Sequence, residues 1–163
     1  GAGNRFVELK KSTNLTNARL SARLRGEMDS QGAQLVVLVQ GRTPKTTANF
    51  VLTGQPFRIT HDWSEQSAML KPDPAQWTCM GARWNDKHGY GCDDIATVLK
   101  DVNIDIMFVL FPLRIAPWGS VADPNKLRPG EDYPEEPSYP VRIHALPKGL
   151  LMFDWVKIEY PSR

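Results

Sequence analysis

Two loops of this 163-residue chain carry aromatic rings among polar neighbours. Trp84 and Tyr90 lie in the run Arg83-Trp84-Asn85-Asp86-Lys87-His88-Gly89-Tyr90, and Trp118 stands between Pro117 and Gly119. Neither setting reads as a core strand, and loops held by a rigid scaffold carry much binding chemistry. Each ring is a candidate for ligand contact; the alternative is a ring that plugs its own loop onto the scaffold. Trp63, Trp77 and Trp155 stand in strand-like runs and are assigned to the core. A second set is polar. Arg19, Arg23 and Arg25 fall on one side of an alternating run, with Gln40 and Arg42 expected on the neighbouring strand. Planar guanidinium and amide groups on such a face hydrogen-bond hydroxyls or carboxylates. A solvated outer face is the competing reading, and Asn49, Arg58 and His61 belong to the same question.

Cys79 and Cys92 flank the first of these loops. A bridge between them would stabilise the fold by about 3 kcal/mol in the chain-entropy account, and an oxidising, extracellular setting would favour it. Two reduced, half-buried thiols are the alternative. Zinc is not expected, because a cysteine pair with only His88 nearby lacks the usual ligand spacing. The sequence has no Gly-rich phosphate loop, no His-Glu-x-x-His helix and no serine in a nucleophile elbow. Adjacent Asp93 and Asp94 would point to opposite sides of a strand, and the acidic run Glu131, Asp132, Glu135, Glu136 reads as solvated charge. The one acid–base set worth naming is His88 with Tyr90 or Asp86.

These residues need a scaffold, and the composition says which kind. The length suits a single domain spanning residues 1–163, with an ordinary apolar fraction of 41% and charged fraction of 23%. Twenty basic side chains against eighteen acidic ones leave +2, too little for a nucleic-acid footprint. The longest apolar stretch, 102–113, is broken by Asn103 and Asp105, so no membrane span is expected. The opening Gly1-Ala2-Gly3 and the stop just after a strand-like run suggest a domain excised from a larger protein; a small protein processed at its front is the alternative.

Period-two alternation outweighs helical periodicity along the chain. Strands are predicted at 6–10, 17–27, 34–42, 46–53, 57–60, 63–71, 77–83, 102–113 and 149–160, with a short one at 139–143 and one or two helical turns at 93–101. The run 34–42 is continuous enough for a buried central strand. Residues 114–148 form a long Pro-rich insert. The fold class that follows is all-β: an antiparallel β-sandwich of jelly-roll type with one long Pro-rich loop.

The order of features resembles the carbohydrate-binding jelly rolls of the galactose-binding-domain-like type. Three stretches carry the likeness: the Arg-rich run 17–27 followed by the apolar run 34–40; Trp63 and its alternating strand, then Trp77; and Leu99-Lys100-Asp101-Val102 leading to the closing Gly149-Leu150-Leu151-Met152-Phe153-Asp154-Trp155-Val156. The insert 114–148 is longer than the usual connection between the last two strands of that family. The resemblance implies a secreted, extracellular or periplasmic module tethered to a polysaccharide-acting catalytic domain. It also implies a structural calcium near the two ends of the chain, with Asp154 as ligand and Glu8 as partner; an ordinary surface aspartate is the alternative.

The leading expectation is thus a non-catalytic carbohydrate-binding module. Sugar rings would stack their apolar C–H faces on Trp84, Tyr90 and Trp118, helped by Arg23, Arg25 and Gln40. The polysaccharide or oligosaccharide partner would be held without nucleic acid, membrane or organic cofactor. Two alternatives stand beside it: a small lyase or hydrolase of the same fold, and a structural sandwich that only packs against a catalytic domain.

Overall fold

The computed structural model of the protein describes residues 8–80, 90–111, 114–117, 141–145 and 147–162. Strands follow in the order β1 (Arg19–Asp29), β2 (Gln34–Arg42), β3 (Thr47–Val51), β4 (Ser64–Met69), β5 (Thr78–Cys79), β6 (Tyr90–Gly91), β7 (Asp105–Phe111), β8 (Arg114–Pro117), β9 (Val141–Ala145) and β10 (Lys148–Glu159). A short helix, α1 (Ile95–Lys100), precedes β7. One sheet runs β10-β1-β4 and the other β5-β3-β2-β7, with β6 beside β3; β8 and β9 pair with each other. Strand pairing is antiparallel apart from the short β3–β6 contact. The two main sheets pack face to face, so the predicted all-β sandwich is the fold.

The alternation of β1 sets its two faces. Leu20, Ala22 and Leu24 are sealed inside, while Arg19, Arg23 and Arg25 point the other way. Leu35, Val37 and Val39 of β2 join the same core. Val36 points away from it yet is also fully buried, in a second cluster with Val51 and Phe111. That is why 34–42 reads as continuous rather than alternating: both faces of β2 are covered. Each fully buried Leu or Val contributes about 1.5–3 kcal/mol relative to an exposed one. Helix α1 adds Ile95, Val98 and Leu99 to the main core and is capped by the Asp94 side chain on the Ala96 N–H.

Three expectations are corrected. Runs 17–27 and 34–40 are not neighbours, because β1 pairs with β10 and β4 whereas β2 pairs with β3 and β7. A tight turn at Gln31-Gly32, with φ of 53° and 87° and the Ala33 N–H on the Ser30 carbonyl at 3.0 Å, carries the chain from one sheet to the other. Both edges of β1 are already taken, so β2 has nowhere to pair there. Residues 57–60 make a single bridge, Phe57 to Leu35, instead of a strand. The Gln66 amide takes both the N–H and the carbonyl of Arg58 at 2.7 Å, and the Gln55 amide does the same for Met69 at 2.9 Å. Side chains thus fill ladder positions that backbone would otherwise fill. Of the expected first strand, Glu8 to Lys10 form none, and Lys10 sits at φ 53°, in the left-handed region.

The first and last of these strands lie side by side, from Arg19 opposite Glu159 to Asp29 opposite Lys148. The Tyr160 hydroxyl extends this by donating to the Ser12 carbonyl at 2.7 Å. Nearby, Leu15 N–H meets the Leu99 carbonyl, Val102 N–H meets the Thr13 carbonyl, and the Thr13 hydroxyl donates to Asp101. The segment before β1 is therefore fastened to the end of α1.

Candidate functional site

The outer face of the three-stranded sheet gathers arginine and tryptophan. In register across it, β10 supplies Trp155, β1 supplies Arg23 and β4 supplies Glu65. Cross-strand partners share a face, so the half-buried Trp155 stands beside Arg23. One step along β1, Arg25 lies opposite Met152. Trp63, immediately before β4, fits between the arginines: the guanidinium carbons of Arg23 and Arg25 lie 4.8 and 5.2 Å from its ring centroid. Such cation–π contacts are worth about 0.5–1 kcal/mol each at exposed sites. Their structural effect is to hold two long, otherwise floppy side chains in place.

A bulge in β10 completes the cluster. The register slips between Arg23 and Leu24, leaving Asp154 without an opposite number between Trp155 and Phe153. The Asp154 carboxylate accepts from Arg23 Nη1 at 2.9 Å. Two other acids of this sheet face are also engaged: Glu27 pairs with His61 Nδ1 at 2.6 Å, and Glu159 with Lys157 at 2.9 Å. Lys157 holds the Glu159 carboxyl below its ordinary range. Arg25 is different. Among the described residues it has its place over Trp63 and no carboxylate within ion-pair reach.

The other residues singled out from sequence fall elsewhere. Gln40 lies on β2 between Asn49 and Asp105, on the opposite sheet from Arg23 and Arg25, so the three do not form one surface. Trp84, Trp118, Asp86 and His88 lie outside the described residues, and Tyr90 is described only through its backbone, opposite Thr47. Cys79 and Cys92 form a disulfide with a Cα–Cα distance of 5.9 Å, which ties β5 to the segment after β6. Trp77 is sealed in the core, its indole N–H on the Lys71 carbonyl at 2.8 Å. Trp63 and Trp155 are not core residues but parts of the arginine cluster, which sequence reasoning missed.

Asp154, the expected calcium ligand, is engaged by a side chain of this face. A dication needs several oxygens, and one at Asp154 would have to displace the Arg23 guanidinium, 2.9 Å from the carboxylate. Glu8 lies eleven positions before the start of β1 and is exposed. Among the described residues, no three of His, Cys, Asp or Glu gather to hold a metal, and no helix is long and apolar enough to cross a membrane.

Comparison with protein-family models, with curated proteins and with solved structures finds no match for this chain.

Proposed function

We propose that this sandwich is a non-catalytic carbohydrate-binding module, and that the outer face of the β10-β1-β4 sheet is its contact surface. The observation that carries the reading is Trp155 set in register beside Arg23, on a face where Trp63 holds both Arg23 and Arg25. A half-exposed indole offers an apolar plane for the C–H face of a sugar. Guanidinium groups beside it offer rigid N–H forks for the ring's oxygens. The module's role is targeting: it raises the local concentration of a tethered catalytic domain on a polymeric substrate. The disulfide supports a secreted, extracellular or periplasmic setting.

Affinity electrophoresis across a polysaccharide panel tests this. The wild type is retarded by at least one polymer, and Trp155→Ala loses most of that retardation while keeping its melting temperature. Retardation that survives Trp155→Ala but is lost in Trp84→Ala or Trp118→Ala would move the contact to the loops. Turnover of any polymer by the isolated chain would overturn the non-catalytic reading.

A second reading rests on one observation. Leu150, Phe153 and Val156 of β10 are large apolar residues left exposed, between 36% and 53%. A strand edge of that kind suits packing against another domain. Phe153 and Val156 lie on the inner side of β10, opposite Leu24 and Ala22, whereas Leu150 lies opposite Glu27 on the outer face.

A further inference from the structure

We infer that the glycan read by this face is acidic, and that Arg25 is the residue that binds a uronic-acid carboxylate. The inference rests on the carbohydrate reading above and names the ligand class of the same face. Three features of the cluster point to it.

First, Arg25 is exposed on this face and has no carboxylate within ion-pair reach among the described residues. Arg23 has Asp154 at 2.9 Å, whereas the contact of Arg25 among the described residues is the indole of Trp63 at 5.2 Å. A guanidinium that stacks flat on a ring keeps its N–H edge for a planar, bidentate partner. Second, two of the neighbouring acids are already taken. Glu27, two residues along on the same face, is taken by His61 at 2.6 Å, and Asp154 by Arg23. Glu65 stands in the Arg23 row on the β4 side, so a bound anion has the β10 side open to it. Third, that side holds the aromatic. Trp155 is paired with Arg23, and Arg25 with Met152. Arg25 and Trp155 thus stand on neighbouring rows of one face, where backbone positions in a regular ladder lie about 7–8 Å apart, and a sugar on the indole would turn its carboxylate towards Arg25.

The tether over Trp63 fixes Arg25 before the ligand arrives, so less side-chain freedom is lost on binding. A carboxylate, unlike a hydroxyl, meets the fork with two charge-assisted hydrogen bonds. Methyl esterification removes the charge and one acceptor oxygen while keeping the sugar.

Isothermal titration of the whole chain with oligomers of galacturonate, glucuronate and mannuronate, their methyl esters, and neutral galactan, glucan and mannan provides the test. At least one acid oligomer binds tenfold or more tighter than its ester. Arg25→Ala brings that acid down to the level of the ester, and Arg25→Lys, which keeps the charge but not the fork, recovers only part of the difference. Equal binding of acid and ester, or preference for neutral glycans, would overturn the inference and leave the carbohydrate reading standing. A full preference persisting in Arg25→Ala would remove Arg25 from the role. Carrageenan binding as tightly as the uronate would show that the face reads charge and not a carboxylate. No binding to any of these glycans would bring down both the inference and the reading it rests on.

Discussion

Arg23 and Asp154 meet across the β1–β10 pair at 2.9 Å because β10 carries one residue more than β1 at that point. In an unbroken strand, Asp154 would face the opposite way from Trp155. The bulge brings its carboxylate to the arginine and turns the indole that follows onto the outer face. The bulge therefore resets which residues of the closing strand face the core: Leu151 before it and Ile158 after it both pack there.

Calcium should not stabilise the fold through Asp154. Melting curves with millimolar calcium and with chelator should superimpose, because the carboxylate is engaged by a guanidinium. Asp154→Asn should shift stability by no more than about 1 kcal/mol, the usual worth of an exposed ion pair. A melting temperature that rises with calcium in the wild type and not in Asp154→Asn would contradict this.

The β1–β10 pair has little room. A methyl group at Gly26 would lie 2.6 Å from the Leu150 carbonyl oxygen and 2.9 Å from Ile59 Cγ2. Gly149, at φ 129°, would drive a methyl group into the Glu27 backbone. Alanine at either position should cost about 2–3 kcal/mol, read as a lower denaturant midpoint. Alanine at Gly32 meets no neighbouring atom despite its φ of 87°, and should cost less than alanine at Gly149.

Reducing the Cys79–Cys92 bridge should lower stability by about 3 kcal/mol, the chain-entropy value for a loop of this size. Cys79 is buried on β5 against Phe50 of β3, so Cys79→Ala should destabilise slightly more than Cys92→Ala, whose residue is exposed. Denaturant titrations with and without reductant would measure both effects. An unchanged midpoint on reduction would contradict the prediction.

Asp93 should contribute to the acid sensitivity of the fold. The Thr43 hydroxyl holds its carboxyl below the ordinary range, helped by the Asp94 N–H at 2.7 Å and by Lys45 at 3.7 Å, against some opposing burial. A lowered folded value means that the carboxylate stabilises the native state above its unfolded value of about 4. That stability is lost as the pH falls through the folded value. Asp93→Asn should therefore flatten part of the stability decline below about pH 4 and lower stability at neutral pH. A wild-type acid slope in Asp93→Asn would assign the decline to other carboxylates.

The sandwich was legible because β1 and β2 carry opposite signatures. One alternates Leu and Ala with Arg; the other is apolar on both faces. Sheet partnership was not legible: nothing local to Gln31-Gly32 says that β1's edges are already occupied by β4 and β10. Strand 57–60 failed for a similar reason, since only the fold brings the Gln66 amide to the Arg58 backbone. The arginines of the candidate face were readable from their spacing, but its indoles were not. By strict alternation Trp155 shares the inward side of Phe153, and the bulge at Asp154 is what turns it out. Trp63 precedes its strand and is placed by two cations from another.

Nuclear magnetic resonance mapping of a glycan titration tests the central claim most directly, because it reports which surface the ligand meets. With a bound glycan added, the account predicts the largest shifts at the Trp155 indole N–H and the Arg25 side-chain N–H, with smaller ones at Trp63 and Arg23. Shifts confined to Gln40, Asn49 and the other sheet, or to the Trp84 and Trp118 indoles, would contradict it.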